Sequence, residues 1–282
     1  MPSLTVPEPG RRRLAVLGKP IAHSQSPALQ AAAYRALGLD WEYGRAEVAE
    51  GGLAAHLAPL DASWRGFSLT MPLKHEALAL CDTLSDAARI TGAVNTLVLV
   101  GGVRAGYNTD VFGIVQALWE RGVDALEHVH LLGAGATATS VLVACAQLGA
   151  VRATVAARRP EQLEELRRTA RAFGVSVEPV ALEHAGDARG ADLIVNTIPG
   201  DWARPVFTEE TRRTTPLFEI VYNVWPSPLG EQWDAVGGLV VSGLDMLLWQ
   251  AVLQIRLFVG IHDDDPLPRE ASVIAAMREA LR

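Results

Sequence analysis

The sequence predicts an α/β fold on three observations. Apolar runs that read as strands alternate with helix-like runs, from Leu14–Leu17 near the start to Leu239–Val241 near the end. One strand-like run, His128–Leu132, passes at once into Gly133-Ala134-Gly135-Ala136-Thr137-Ala138, and a run of small and apolar residues then closes at Gly149. Polar residues gather where other strands end, and the C-terminal strand ends of an α/β sheet are where ligands bind.

Bulk properties narrow the class. A chain of 282 residues is long enough to bury two cores. Hydrophobic residues at 49% and charged residues at 20% suit a globular enzyme rather than a disordered chain. A formal net charge of −7 argues against a nucleic-acid partner or an anionic membrane. Cys81 and Cys145 lie far apart in apolar helical contexts and read as free buried thiols of a reducing compartment. The N-terminus has no apolar segment of the secretory type. The most apolar window, Leu244–Ile261, is interrupted by Asp245, Gln250, Gln254 and Arg256, so no membrane span is expected. A soluble, cytoplasmic protein is the expectation.

The elements follow in order. Leu14–Leu17 reads as a buried strand that Gly18-Lys19-Pro20 turns away. Ser26-Pro27 opens a helix, with Ser26 as N-cap; Leu29, Ala32, Ala33 and Leu37 form its apolar face and Gly38 ends it. Trp41–Val48 is a strand, Leu53–Leu60 a short helix and Gly66–Thr70 a third strand, followed by a helix carrying Lys74. Ala93–Val100 and Val103–Tyr107 form a hairpin around Gly101-Gly102. Beyond the Gly-rich turn, strands are expected at Ala153–Ala157, Ser176–Val180, Asp192–Asn196, Leu217–Tyr222 and Leu239–Val241, and a helix at Asp245–Val259.

Three polar clusters stand out in the first half. Ser24 and Ser26 lie on the loop after the first strand. Thr70 and Lys74 flank another strand end, and Asn95 with Asn108-Thr109-Asp110 end or follow the later strands. Each has a local alternative: a helix cap, a solvated lysine, a turn that caps the next helix. Together they point to one ligand site.

The Gly133–Ala138 segment has the G-x-G-x-x-A form of a dinucleotide-binding turn. Gly133 makes the tight turn, Gly135 lets the backbone approach a pyrophosphate, and Ala138 keeps the helix close to its strand. The free N–H groups of the helix start, around Ala134, Ala136 and Thr137, face the phosphates. An NAD site would carry an acid at the end of the next strand. Here Arg158-Arg159 stand instead, and two guanidiniums suit the 2′-phosphate of NADP, the alternative being two solvated arginines before Pro160 at a helix start. His128, His130 and His262 with Asp263–Asp265 lack a metal-site pattern, so no metal is expected.

The motifs G-K-P-I-A-H-S-Q-S-P from Gly18, G-F-S-L-T-M-P-L-K from Gly66, G-A-V-N-T-L from Gly92 and G-Y-N-T-D-V-F-G from Gly106 precede L-G-A-G-A in fixed order. D-L-I-V-N from Asp192, V-Y-N-V-W-P-S-P-L from Val221 and G-L-D-M-L-L-W-Q-A from Gly243 follow it. This set resembles the shikimate dehydrogenase family over nearly the whole chain. The resemblance implies an N-terminal α/β substrate domain, 1–110 completed by 245–282, whose C-terminal helices return to it. It implies a Rossmann-like NADP-binding domain at 111–244.

The resemblance also implies reversible, NADP-dependent reduction of 3-dehydroshikimate to shikimate, and roles for individual residues. Lys74 and Asp110 map onto a catalytic dyad. Ser24 and Ser26 map onto the substrate carboxylate with Tyr222 near it. Thr70, Asn95, Asp110 and Gln250 map onto the ring hydroxyls. Ile220 and Gly243 map along the nicotinamide, and Asp86 near the cleft. Arg158 aligns with the Arg of an N-R-T segment, of which Ala157 and Arg159 replace the other two residues. Gln30-Ala31 stand where many members have His-Asn, Ala136 replaces the usual third Gly, and Thr197-Ile198-Pro199 replace a small polar segment. A paralogue acting on quinate or an aminoshikimate, and a non-catalytic binding module of the same fold, stay open as alternatives. The partner is a small-molecule substrate, and a homodimer is one assembly state open to the chain.

Overall fold

The computed structural model describes residues 11–157, 160–200, 202, 204–222, 225–261 and 265–281. The chain divides into two compact units: residues up to Thr109 with those from Leu247 onward, and Asp110–Met246.

The first unit is built from β1 (Arg12–Gly18), α1 (Ser26–Leu37), β2 (Trp41–Glu47), α2 (Leu53–Leu57), β3 (Trp64–Leu69), β4 (Thr83–Leu84), α3 (Asp86–Thr91), β5 (Thr96–Val100) and β6 (Val103–Tyr107). Its sheet runs in the order β2-β1-β3-β5-β6-β4. β1 lies parallel to both neighbours and is buried from Leu14 to Gly18, the continuous apolar run of a strand covered on both faces. Leu17, Leu53, Phe67, Leu73 and Leu97 form the core on one side of this sheet.

Three local expectations are corrected here. Ser26 is the first helical residue of α1, not its N-cap, which is Gln25 and makes no side-chain cap. The capping oxygen comes from Ser24, whose Oγ accepts from the Ser26 N–H at 3.3 Å. Lys74 lies on a turn, not a helix, ahead of a 3₁₀ turn at Glu76–Leu80. The Lys74 carbonyl is taken by the Val94 N–H at 2.8 Å, and Leu78 bonds back only three residues, to His75, so no α-helical ladder can start at Lys74. Asn95 precedes β5 rather than ending a strand. Because β5 runs antiparallel to β3, with Ser68 opposite Thr96, the start of β5 still lies beside the end of β3.

The second unit holds α4 (Asp110–Glu120), β7 (His128–Leu132), α5 (Ala136–Gln147), β8 (Arg152–Ala156), α6 (Pro160–Ala172), β9 (Ser176–Val180), β10 (Leu193–Asn196), α7 (Glu209–Thr214), β11 (Leu217–Glu219), α8 (Gly230–Asp234) and β12 (Val240–Ser242). Its six strands are all parallel, in the order β9-β8-β7-β10-β11-β12. Successive strands step outward from β7 on one side and from β10 on the other. This is the doubly wound Rossmann order, with its switch point between the ends of β7 and β10. β11 stops at Glu219, so Ile220 and Tyr222 follow the strand instead of ending it. Trp233 is fully buried and donates its indole N–H to Thr215 O at 2.8 Å, which satisfies the polar edge of the largest core side chain.

The chain continues through α9 (Gly243–Val259), of which the residues from Leu247 on belong to the first unit, and α10 (Glu270–Glu279), which packs against α1. Arg256 on α9 holds Glu270 through two N–H···O bonds of 2.9 and 2.7 Å, and this bidentate pair fixes the start of α10.

Candidate functional site

In the first unit, the ends of β1, β3 and β6 and the start of β5 bring the predicted polar residues to one end of the sheet. The Thr70 N–H donates to Leu17 O at 2.9 Å, which ties the end of β3 to β1. The Leu69 N–H donates to Asn95 O at 2.7 Å, and the Asn95 N–H in turn donates to Tyr107 O at 3.0 Å. The bond from Val94 to the Lys74 carbonyl sets the lysine turn beside the Asn95 segment. Ser24 is half-buried on the loop that leads into α1, and Lys74 and Thr70 are also half-buried, whereas Ser26, Asn95 and Gln250 are buried.

Asn95 is held in a fixed orientation. Its Oδ1 accepts from the Thr109 N–H and the Thr96 hydroxyl, each at 2.8 Å, so the donating Nδ2 faces Thr109 Oγ1 at 2.9 Å. Thr109 Oγ1 lies 3.4 Å from Gln250 Oε1. Behind this pair, Gln254 donates to Thr96 Oγ1 at 2.9 Å and accepts from Ser68 Oγ at 2.7 Å. Gln254 also accepts from Gln30, a position where the sequence departs from the motif. Sequence reasoning does not single out Gln254, Thr96 or Ser68. Two glutamines four residues apart in the middle of a largely apolar helix, between Asp245 and Arg256, were the available signal. Asp86 is the first residue of α3, on the exposed side, where it pairs with Arg89.

The second unit carries the remaining candidates. Asp110 is buried at the first position of α4, a helix N-terminus that favours its negative charge. Gly133 has φ 107°, and a Cβ there would lie 2.3 Å from Thr197 Oγ1, so only glycine fits between the ends of β7 and β10. Its N–H donates to Ala156 O, and Thr197 donates to Leu132 O through both its N–H and its hydroxyl, which closes the turn at the switch point. Ala134 is buried behind it. Gly135 is exposed, with nothing within 4 Å of a built Cβ, and no side chain caps α5 there. Ala136 and Thr137 begin the helix half-buried, and Ala138 is fully buried against its strand.

Ile220 and Gly243, read as neighbours of one ligand group, do meet. A Cβ on Gly243 would fall 2.0 Å from the Ile220 carbonyl oxygen, so the close approach of the two backbones requires glycine. Tyr222 is half-buried, and burial raises its phenol above the usual range. Arg158 and Arg159 lie outside the described residues, as do His262–Asp264. Among the described residues no group of three or more His, Cys, Asp or Glu side chains is placed to hold a metal. His130 donates from Nε2 to Ala185 O at 2.9 Å and meets Thr154 Oγ1 at 2.8 Å through Nδ1, so both ring nitrogens serve the core. Glu219, which the sequence reading does not reach, is a buried carboxylate at the end of β11 bonded to Asn196 and Ser227.

Comparison with known proteins places this geometry. Residues 16–97 match the family model of the shikimate dehydrogenase substrate binding domain. The chain is 35% identical over 274 residues to a shikimate dehydrogenase (NADP(+)) of Thermus thermophilus, covering 95% of this chain and 98% of that one. The chain belongs to the shikimate dehydrogenase family. The crystal structure of the family member from Mycobacterium tuberculosis superposes with a TM-score of 0.81 at 34% identity, over 95% of this chain and 99% of that one. A Thermus thermophilus enzyme solved in complex with NADP(H) and shikimate gives a TM-score of 0.80 at 34% identity, over 95% and 99% of the two chains.

Proposed function

We propose that this protein catalyses the reversible, NADP-dependent reduction of 3-dehydroshikimate to shikimate. The observation that carries the reading is the 35% identity, over nearly the full length of both chains, to a shikimate dehydrogenase (NADP(+)), in a chain that has Lys74, Asp110 and the polar set around Asn95. In this reading the first unit binds the substrate and the second binds NADP. The second unit has the features that a dinucleotide needs. The Gly133 turn lies at the switch point, the space at Gly135 is open, and the start of α5 has no side-chain cap.

When bound, the nicotinamide supplies or accepts the hydride. The rest falls to the chain. Reduction of a ketone leaves negative charge on oxygen, and Lys74 as an ammonium stabilises that charge and delivers the proton. In the reverse direction its neutral amine takes the proton from the hydroxyl. Asp110 orients the ammonium and accepts from a ring hydroxyl. Thr70, Asn95 and Gln250 bond the ring hydroxyls, and Ser24, Ser26 and Tyr222 bond the carboxylate. Such partners discriminate strongly, because an analogue lacking a hydroxyl strands a buried polar group. Arg158, with Arg159, holds the 2′-phosphate.

Purified protein mixed with shikimate and NADP is expected to gain the absorbance of the reduced nicotinamide. Turnover of quinate or an aminoshikimate without turnover of shikimate would move the substrate assignment. Binding without turnover of any of them would leave a non-catalytic module. Among the described residues no helix is long and apolar enough to cross a membrane, and a cytoplasmic location belongs to the same proposal. A homodimer is the assembly to test, by light scattering.

A further inference from the structure

Glu219 ends β11 and is 1% exposed, a buried carboxylate that the proposed chemistry does not use. Its Oε1 accepts from Asn196 Nδ2 at 2.8 Å and from the Val221 N–H at 3.2 Å. Its Oε2 accepts from the Ser227 hydroxyl at 2.8 Å, and Ser227 Oγ itself accepts from the Gly230 N–H at 2.9 Å, at the start of α8. Asn196 ends β10, its Oδ1 accepts from the Ile198 N–H at 3.1 Å, and its backbone carbonyl accepts from the Ile220 N–H at 3.1 Å. One carboxylate thus joins the end of β10, the turn that leaves β11 and the entry to α8.

The bonds that Glu219 and Asn196 make hold consecutive N–H groups, those of Ile220 and Val221. From the other side, the missing side chain of Gly243 lets the Ile220 carbonyl lie against the backbone where α9 begins. The path of Ile220 and Val221 after the strand is therefore set by Glu219, Asn196 and Gly243, and Tyr222 follows directly on the held pair. A buried carboxylate is costly unless its lone pairs are met, and here three donors meet them. That cost is understandable where the segment it holds must not drift.

We infer that Glu219 is a positioning residue of the active site. It fixes the backbone of Ile220 and Val221, and so the placement of Ile220 for the nicotinamide and of Tyr222, which follows them, for the substrate carboxylate. The inference rests on the proposed function for what Ile220 and Tyr222 touch, although the clamp itself is geometric. The role is one of shape, not charge. A glutamine could keep its carbonyl on Asn196 and Val221 and donate from its amide nitrogen to Ser227 Oγ, with the serine hydroxyl turning away.

The test compares Glu219→Ala, Glu219→Gln and Ser227→Ala in the full chain, by steady-state kinetics and by NADP titration without substrate. Glu219→Ala is expected to weaken NADP binding and to raise KM for shikimate by about tenfold each, the effect of roughly one lost hydrogen bond on placement. Glu219→Gln is expected to stay within about threefold of the parent in both, and Ser227→Ala to fall between. Glutamine as damaging as alanine would overturn the positioning role in favour of charge. An alanine variant with unchanged NADP affinity and KM would overturn it outright. Should Glu219→Ala fail to fold, Ser227→Ala reads the same loss through a milder change, and parent-like constants there would also overturn the clamp. If the parent does not turn over shikimate, the functional reading fails, while the NADP titration still decides the clamp.

Discussion

Thr109 and Asn95 are joined through both the backbone and the side chain of the threonine, by the Thr109 N–H on Asn95 Oδ1 at 2.8 Å and by Asn95 Nδ2 on Thr109 Oγ1 at 2.9 Å. The first bond settles which end of the amide is the acceptor, and the second turns the donor end toward the side where Gln250 lies. Asn95→Ala removes both and leaves the buried Thr109 N–H unmet. The expected cost is about 1–3 kcal/mol of stability in urea unfolding, with a rise in KM for shikimate. A stability loss with unchanged KM would make Asn95 a strut of the fold and no part of the substrate site.

Lys74 presents a different balance. Its backbone carbonyl is bound by Val94 whatever the side chain, so Lys74→Ala should keep the fold. The ammonium acts where charge develops, so kcat is expected to fall ~10²–10⁴-fold, with KM within a small factor of the parent. A raised KM with kcat nearly intact would show that the lysine binds substrate and does not transfer its proton.

His130 supplies a pH dependence. Burial lowers its pKa to about 4, the largest cause, against a contribution from its bond to Ala185 O that raises it. The folded value lies below the unfolded one, so the unfolded chain takes the proton first as pH falls. The neutral ring's contribution is present above pH ~6.5 and is lost progressively down to about 4, on the order of 3 kcal/mol in all. His130→Gln should therefore flatten the decline of urea stability between pH ~6.5 and ~4.5, although it will cost stability at neutral pH. Equal slopes in the two proteins would show that the ring titrates normally in the fold.

The second unit is legible in the sequence because its signals are local. Gly133 and Ala138 fall within one short stretch, and the strand before them runs straight into it through Leu131-Leu132, so motif and element appear together. The first unit is read less well, for reasons of tertiary pairing. Whether Lys74 continues a helix depends on Val94, far along the chain, taking its carbonyl. Asn95 lies beside Thr70 only because β5 returns antiparallel to β3. Gln254 serves the Asn95 cluster from the far end of the chain, and Glu219 gains its partners from Asn196 and Ser227, so neither carries a pattern that a window of residues could reveal.

Cofactor choice is the prediction that rests most directly on residue chemistry. β8 ends at Ala156 beside the Gly133 turn, whose N–H it binds, and the chain then runs through Ala157 into Arg158-Arg159. In a nucleotide-binding unit this point faces the adenosine ribose. An acid there would bond the 2′-hydroxyl and repel a 2′-phosphate, whereas guanidiniums attract the phosphate and can bind it through two N–H groups. A hydrogen bond to a charged group contributes about 1.5–3 kcal/mol, or roughly ten- to a hundredfold in affinity. NADP should therefore exceed NAD by at least that margin in kcat/KM. Arg158→Ala should erase most of the margin by weakening NADP while leaving NAD use nearly unchanged, and Arg159→Ala should do less. Equal efficiency with NAD and NADP in the unaltered protein would show that both arginines are solvated and that cofactor selection lies elsewhere.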